Sequence, residues 1–219
     1  MSKDKNFKVV IIDYELGNLF SVNQALEKIG LSTSISKNPA EIEEADALIL
    51  PGVGAFGDAM NNLNKLKLVD PIRNFIDSGK PFLGICLGLQ LLFTQSEEFG
   101  TQNGLDIIKG VVRKFNSKDD AIQLKVPQIS WNKVLFTNQN LKDNSPLFNI
   151  KNEEYFYFVH SFYVIPEEDV TLTETEYGGI IYTSSIIKNN IFACQFHPEK
   201  SGKEGLKIYQ NWASQNNLI

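Results

Sequence analysis

Cysteine, histidine, methionine and tryptophan are scarce in this chain of 219 residues, which contains two of each. Two cysteines are too few for a disulfide framework, so we expect a reducing compartment and predict a cytoplasmic protein. We also expect neither a metal nor a cofactor. Any chemistry that needs a thiol or an imidazole must therefore use one of four side chains.

An excess of basic residues and long apolar runs are also missing. The chain has 21 Lys and Arg against 26 Asp and Glu, a formal charge of −5, so we expect no nucleic-acid partner. The apolar stretches have strand length and are broken by Gly or Pro, and the first six residues are polar. We therefore expect no signal peptide and no membrane span.

Apolar runs alternate with helical patterns in the first half of the chain, which favours an α/β fold with a mostly parallel central sheet flanked by helices. The runs that suit strands covered on both faces are 7–13, 45–50 and 81–85. The helical patterns are 21–29, 69–76 and 202–213. After about residue 105 the pattern is strand-rich, so we expect added antiparallel strands in the second half. We predict a single domain over residues 1–219.

A cysteine flanked by glycines marks the end of one strand. In Gly84-Ile85-Cys86-Leu87-Gly88, an apolar strand breaks at Cys86 and continues as an apolar helix. Such an elbow strains its central residue and needs small flanking residues, and the helix N-terminus favours a thiolate. The spacing therefore indicates a nucleophilic thiol, although a buried core cysteine would give the same short pattern.

The second half of a thiol site lies far downstream, where a strand over 191–196 leads into His197-Pro198-Glu199. Thiol catalysis needs an imidazole to carry the proton and a third group to orient it, which predicts a triad of Cys86, His197 and Glu199. We interpret the other histidine, His160, as a structural residue of an apolar strand. Cys194 is interpreted as a core residue.

These motifs resemble those of a known enzyme family. Residues 84–90 and 197–199 are similar to the nucleophile and base segments of the triad class of glutamine amidotransferases. Further segments resemble, in order and spacing, the glutaminase subunit of imidazole glycerol phosphate synthase; they are 13–19, 50–57, 126–132, 158–161 and 195–202. Together they cover nearly the whole chain.

The resemblance implies that Cys86 attacks the side-chain amide of L-glutamine. Glycines after the strand at 45–50 let backbone amides approach the reacting carbonyl, and with the Leu87 amide they can form an oxyanion hole. The resemblance implies that Gln90 binds the substrate amide or carboxylate, and that a backbone segment holds the amino-acid end. The expected substrate-binding residues are Gly52, Val53, Gly54, Leu87, Gln90, Ser161 and Phe162.

A partner enzyme is expected because ammonia released to bulk water becomes ammonium, which is not a nucleophile. The resemblance implies a heterodimer with a (β/α)₈ cyclase subunit. That subunit uses the ammonia to make imidazole glycerol phosphate and an aminoimidazole carboxamide ribotide in histidine biosynthesis.

Two departures from the family pattern leave alternatives open. Glu15 stands where glycine is common, and Gln128 and Ser130 stand where histidine and glycine are usual; in the family both segments lie on the partner-facing side. One alternative is a paralogous glutaminase that supplies a synthase-like partner making amino or amidino sugars for surface glycans. Another is a stand-alone γ-glutamyl cysteine hydrolase.

Overall fold

A computed structural model describes residues 7–116 and 124–219. The polar start at residues 1–6 lies outside these ranges. The strands are β1 (Val9–Ile12), β2 (Thr33–Ser36), β3 (Ala47–Gly52), β4 (Phe82–Cys86), β5 (Phe93–Ser96), β6 (Gln102–Asn103), β7 (Ile108–Lys114), β8 (Gln128–Phe136), β9 (Glu154–His160), β10 (Phe162–Pro166), β11 (Thr171–Tyr177), β12 (Ile180–Lys188) and β13 (Ile191–Cys194). The helices are α1 (Leu19–Lys28), α2 (Pro39–Glu44), α3 (Phe56–Lys65), α4 (Val69–Asp77), α5 (Leu87–Leu91), α6 (Gln139–Asp143) and α7 (Gly202–Gln215), with a 3₁₀ turn at Pro198–Lys200.

The centre of the sheet is parallel, in the order β2-β1-β3-β4-β13. Its four inner strands β1, β3, β4 and β13 are fully buried, as expected of strands covered on both faces. From β13 the sheet continues through the antiparallel pairs β13-β12, β12-β10 and β10-β7. Both parts of the predicted fold class are confirmed: a parallel centre and antiparallel strands added by the second half.

Helices cover the two faces of the parallel centre in separate groups. Along β1, Val10 and Ile12 belong to an apolar cluster with α2, α3 and α4, whereas Val9 and Ile11 belong to a cluster with α1 and α7. This division follows from the strand period of two, which points successive side chains to opposite faces. The predicted helices 21–29, 69–76 and 202–213 are present as α1, α4 and α7.

The chain order places the last strand beside the nucleophile strand. After the antiparallel strands β7 to β12, the chain returns as β13, which pairs with β4 in parallel and brings Cys194 opposite Ile85. The ends of adjacent parallel strands meet at one edge of the sheet, where such folds bind their ligands. The residues that follow β4 and β13 therefore meet there.

Candidate active site

Cys86 occupies the strained elbow that the glycine spacing predicts. Its backbone has φ 55° and ψ −106°, a conformation that residues with side chains rarely adopt. A Cβ on Gly88 would overlap the carbonyl oxygen of Leu50, and one on Gly84 would lie 2.9 Å from the Cβ of Ala193. Both flanking positions therefore need glycine so that helix α5 can approach the sheet.

His197 and Glu199 form a buried pair at the end of β13. The Nδ1 atom of His197 donates to Oε1 of Glu199 at 2.7 Å, and only 3% and 2% of the two side chains are exposed. The hydroxyl of Tyr209 donates to Oε2 of the same carboxylate at 3.4 Å. These bonds fix the tautomer of the imidazole, so that Nε2 is the nitrogen that exchanges protons.

The free nitrogen of His197 interacts with Cys86. Nε2 is buried and has no hydrogen-bond partner among the described residues. Burial alone lowers the pKa of His197, but Cys86 and Glu199 outweigh burial and raise the pKa to about 10. The thiol is thus close enough to act electrostatically without forming an ordinary hydrogen bond, which is common when no substrate is bound. The arrangement suits proton transfer between Sγ and Nε2.

A cavity of about 350 Å³ opens onto Cys86. It is lined by Val53, Gly54, Cys86, Leu87, Gln90, Glu98, Pro127, Val159, His160, Ser161, Phe162 and Lys200. Six of the seven expected substrate-binding residues are in this set, and the exception is Gly52. This volume lies within the range of roughly 300–1,000 Å³ that is usual for small-molecule sites.

Gly52 is not among the residues that line this cavity and packs against Tyr14, so its role in substrate binding stays a prediction. A Cβ there would overlap the hydroxyl of Tyr14, which is fully buried and donates to the Pro51 carbonyl at 2.8 Å. Burial raises the pKa of Tyr14, so this donor keeps its proton. Tyr14 therefore anchors the start of the glycine loop, while Val53 and Gly54 face the cavity.

Both amide protons of Gln90 are used in hydrogen bonds within the protein. Its Nε2 donates to the Phe162 carbonyl and to Oε1 of Gln195, each at 3.0 Å. Only Oε1 remains for a ligand, and this atom can only accept. Gln90 is therefore suited to a substrate N–H, such as an amide or an ammonium, and unsuited to a carboxylate.

Glu98 is a cavity residue that sequence reasoning missed. One carboxylate oxygen accepts from the Phe56 amide at 2.6 Å, and partial burial raises the pKa of the carboxyl group. In the sequence, Ser96-Glu97-Glu98-Phe99-Gly100 looks like an ordinary solvated turn. Only the tertiary contact with the start of α3 brings Glu98 to the cavity, so no sequence signal marked it.

His160 fits the interpretation as a structural residue. Its Nδ1 donates to the Phe162 carbonyl at 2.8 Å, and Nε2 lies 3.3 Å from the Tyr182 hydroxyl. Burial lowers the pKa of His160 to about 4, so the ring is neutral at pH 7. With Nδ1 bonded to a carbonyl and Nε2 beside a hydroxyl, the ring supports the cavity wall.

The departures at Gln128 and Glu15 have local explanations. Gln128 is fully buried and accepts from the Tyr182 hydroxyl at 3.0 Å, so its side chain points into the protein. Strand alternation exposes Ile129 and Trp131 instead. Glu15 has φ 67°, a conformation that favours glycine, and its carboxylate lies 3.5 Å from Lys37.

The described ranges, 7–116 and 124–219, contain neither a metal-binding cluster nor a membrane-spanning helix. Those residues contain no group of three or more His, Cys, Asp or Glu side chains placed to hold a metal ion. Among them, too, no helix has the length and apolar character to cross a membrane.

Comparisons with known proteins agree with this geometry. Residues 10–215 match the family glutamine amidotransferase class-I. The imidazole glycerol phosphate synthase subunit HisH of Aquifex aeolicus is 49% identical over 94% of this chain and 95% of its own length. The HisH subunit of Bacillus subtilis is 46% identical over 90% of this chain and 92% of its own length.

Solved structures share the fold at low sequence identity. A putative GMP synthase protein from Thermoplasma acidophilum superposes with a TM-score of 0.70 at 18% identity, covering 98% of this chain and 96% of its own. PurLQS from Thermotoga maritima gives a TM-score of 0.69 at 18% identity, with coverages of 95% and 98%. The chain belongs to the class-I glutamine amidotransferases, in the family of the HisH subunits.

Proposed function

We propose that this chain is the glutaminase subunit of imidazole glycerol phosphate synthase in histidine biosynthesis. It hydrolyses L-glutamine to glutamate and delivers ammonia to a (β/α)₈ cyclase subunit in a cytoplasmic heterodimer, acting as a single domain. The observation that carries the proposal is that Cys86, which lines the cavity, interacts with the buried His197–Glu199 pair behind it. The identity of 49% to a HisH subunit supports the choice of pathway.

The proposed chemistry has two steps. The sulfur of Cys86 attacks the amide carbon of the glutamine side chain, and His197 gives its proton to the departing ammonia, leaving a γ-glutamyl thioester. A water molecule then loses a proton to His197 and attacks the thioester, which releases glutamate and returns the thiol. Glu199 holds the imidazole in place and stabilises its cation throughout.

Cavity residues favour an amino acid as the substrate. Gln90 offers an acceptor oxygen and Glu98 offers a carboxylate, and both can accept from a substrate ammonium or amide. Backbone amides of Val53, Gly54 and Leu87 are the proposed donors to the oxyanion of the tetrahedral intermediates. Ser161 and Phe162 are proposed to hold the amino-acid end of the glutamine.

The proposed docking surface for the cyclase lies on the β8-β9 hairpin beside the cavity. Ile129, Trp131 and Tyr155 are exposed by 55%, 52% and 47%. Pro127, which directly precedes β8, and Val159 on β9 line the cavity wall, so this apolar surface begins where the cavity opens. A partner that covers it would shield released ammonia from bulk water, which a synthase requires of its glutaminase.

The test uses the chain purified with its cyclase partner. Cys86→Ala should abolish synthesis from glutamine but leave synthesis from added ammonium salts intact, because only the glutaminase step needs the thiol. The matched control is Cys194→Ala, a fully buried cysteine on the neighbouring strand, which should retain most glutamine-dependent synthesis. Loss of both activities in Cys86→Ala, or equal inactivity of both variants when folded, would contradict the proposal.

The alternatives predict different results. A stand-alone hydrolase would turn over glutamine as fast without the cyclase as with it. A glutaminase for surface sugars would not support imidazole glycerol phosphate synthesis with a histidine-pathway cyclase. Because Gln128 is buried, its departure from the family pattern no longer argues for a different partner.

A further inference from the structure

Gln195 has a contact that the proposed triad does not explain. Its side chain is fully buried at the end of β13, and its Nε2 lies 3.5 Å from the sulfur of Cys86. It is absent from the cavity lining, so it approaches the sulfur from the protein interior. A buried amide directed at a nucleophile needs a reason, because burying a polar group without a matched partner is costly.

Neighbouring groups fix which end of the Gln195 amide faces the sulfur. The Phe162 carbonyl can only accept, so the group of Gln90 that faces it must be Nε2. The same Nε2 faces Gln195, which must therefore present Oε1 to Gln90 at 3.0 Å. The other end of the Gln195 amide, Nε2, then points at Cys86. One backbone carbonyl thus sets the polarity of two side-chain amides in series.

We propose that Gln195 is a catalytic residue whose side-chain N–H donates to the sulfur of Cys86 and stabilises it as a thiolate. The inference rests on the proposed function and deepens it by adding a second group, besides His197, that favours the charged nucleophile. In the thiol form, the S–H proton has its own acceptor, the Val159 carbonyl at 3.9 Å. After transfer of that proton to His197, the Gln195 donor remains bonded to the negative sulfur.

The same bond serves both chemical steps. It orients the thiolate for attack and weakens when the sulfur loses its charge in the thioester. When water displaces the sulfur, the thiolate forms again as the leaving group, and the donor stabilises it a second time. A donor bonded to the charged form is worth more than one bonded to a neutral sulfur.

Other titratable groups near Cys86 do not supply this stabilisation. Tyr14, Tyr182 and Cys194 all interact with Cys86, and burial raises the pKa of each, so they are neutral at pH 7. Of the described residues whose pKa is shifted by an interaction with Cys86, His197 is the one that can be a cation at pH 7. Gln195 differs from His197 because it carries no charge and acts on the sulfur through the dipole of its N–H group.

The test measures the thiol directly, by alkylation of Cys86 with iodoacetamide between pH 5 and pH 10, followed by peptide mass spectrometry. Gln195→Met keeps the length of the side chain and removes the donor. We expect the midpoint of the alkylation profile to rise by about one pH unit or more. The limiting rate at high pH should rise about two- to threefold, because a thiolate without its donor is more nucleophilic.

A lost donor should raise both the midpoint and the limiting rate of alkylation. Loss of a purely structural residue should instead lower the rate without moving the midpoint. Cys194→Ala disturbs the adjacent position and should leave the midpoint unchanged. An unshifted midpoint in folded Gln195→Met, or a rate lowered equally at every pH, would overturn the proposal.

If Gln195→Met opens the fold, Cys194 will be alkylated as well, and Gln90→Leu then decides. That variant removes the group that orients the Gln195 amide, so it should shift the midpoint in the same direction, and an unshifted midpoint would refute the inference. Alkylation requires neither glutamine nor a partner. A shifted profile together with no glutamine turnover by the wild-type complex would therefore refute the proposed function alone.

Discussion

Glycine at position 86 should be unusually well tolerated. Glycine is normally less stable than alanine at a buried position, but at Cys86 this difference in the free energy of unfolding should be smaller or reversed. Both substitutions remove the sulfur, but alanine must still adopt φ 55° and ψ −106°. A residue with a side chain in such a conformation carries about 1–3 kcal/mol of strain, which glycine does not. The strain therefore appears in the difference between Cys86→Gly and Cys86→Ala.

Cys194 supplies the matched reference, because it is a fully buried cysteine on the adjacent strand β13. There, glycine should be less stable than alanine by about 0.5–1 kcal/mol for backbone entropy and about 0.8 kcal/mol for the lost methyl group. The same two costs apply at Cys86. The free energy of unfolding of the glycine variant minus that of the alanine variant should therefore be higher at position 86 than at position 194 by about 1–3 kcal/mol, in favour of glycine at position 86.

The assay is urea unfolding of the four variants, monitored by tryptophan fluorescence, with midpoints compared at a common slope. For a chain of this size, 1 kcal/mol also corresponds to a change in melting temperature of about 2–4 °C. Equal glycine-minus-alanine differences at the two positions would refute the claim that the elbow is strained. Both substitutions at Cys86 remove the nucleophile, so the comparison between them reports backbone strain and not the loss of the sulfur.

Two further predictions concern the His197–Glu199 pair and the docking surface. The folded pKa of His197 is about 10, whereas its ordinary value is 6.5, so the free energy of unfolding should fall as pH rises through that interval. Urea unfolding of Glu199→Gln at several pH values should show a smaller fall that ends at lower pH, because the variant lacks the carboxylate that helps to raise this pKa. Ile129→Asp should weaken co-purification with the cyclase at least tenfold, whereas Ile35→Asp, exposed by 46% on the outermost strand β2, should not.

The sequence predicts the elements whose signals are local. The glycines around Cys86 and the turn at His197 each have a short-range physical cause, namely a strained backbone and a strand end. The parallel centre could also be predicted, because strands buried on both faces are continuous apolar runs. Gly52 lies in the predicted loop, but its packing against the buried hydroxyl of Tyr14 could not be predicted from the sequence.

The missed residues depend on contacts between distant segments. Gln195 reads as a polar residue in an alternating strand, and only the pairing of β13 with β4 brings its amide to the sulfur. Glu98 reaches the cavity through a contact with the start of α3. The inward direction of Gln128 depends on strand register, and a shift of one residue would reverse it. Such facts require the tertiary structure.

The insertion of β13 between β4 and β12 also determines when the site can exist during synthesis. Cys86 and Gln195 are 109 residues apart, and the triad base follows β13. At a translation rate of roughly 5–20 residues per second, the thiol leaves the peptidyl transferase centre on the order of ten seconds before its base and its donor. During that interval the nascent chain holds an unactivated cysteine, so glutamine hydrolysis is delayed until the sheet is almost complete.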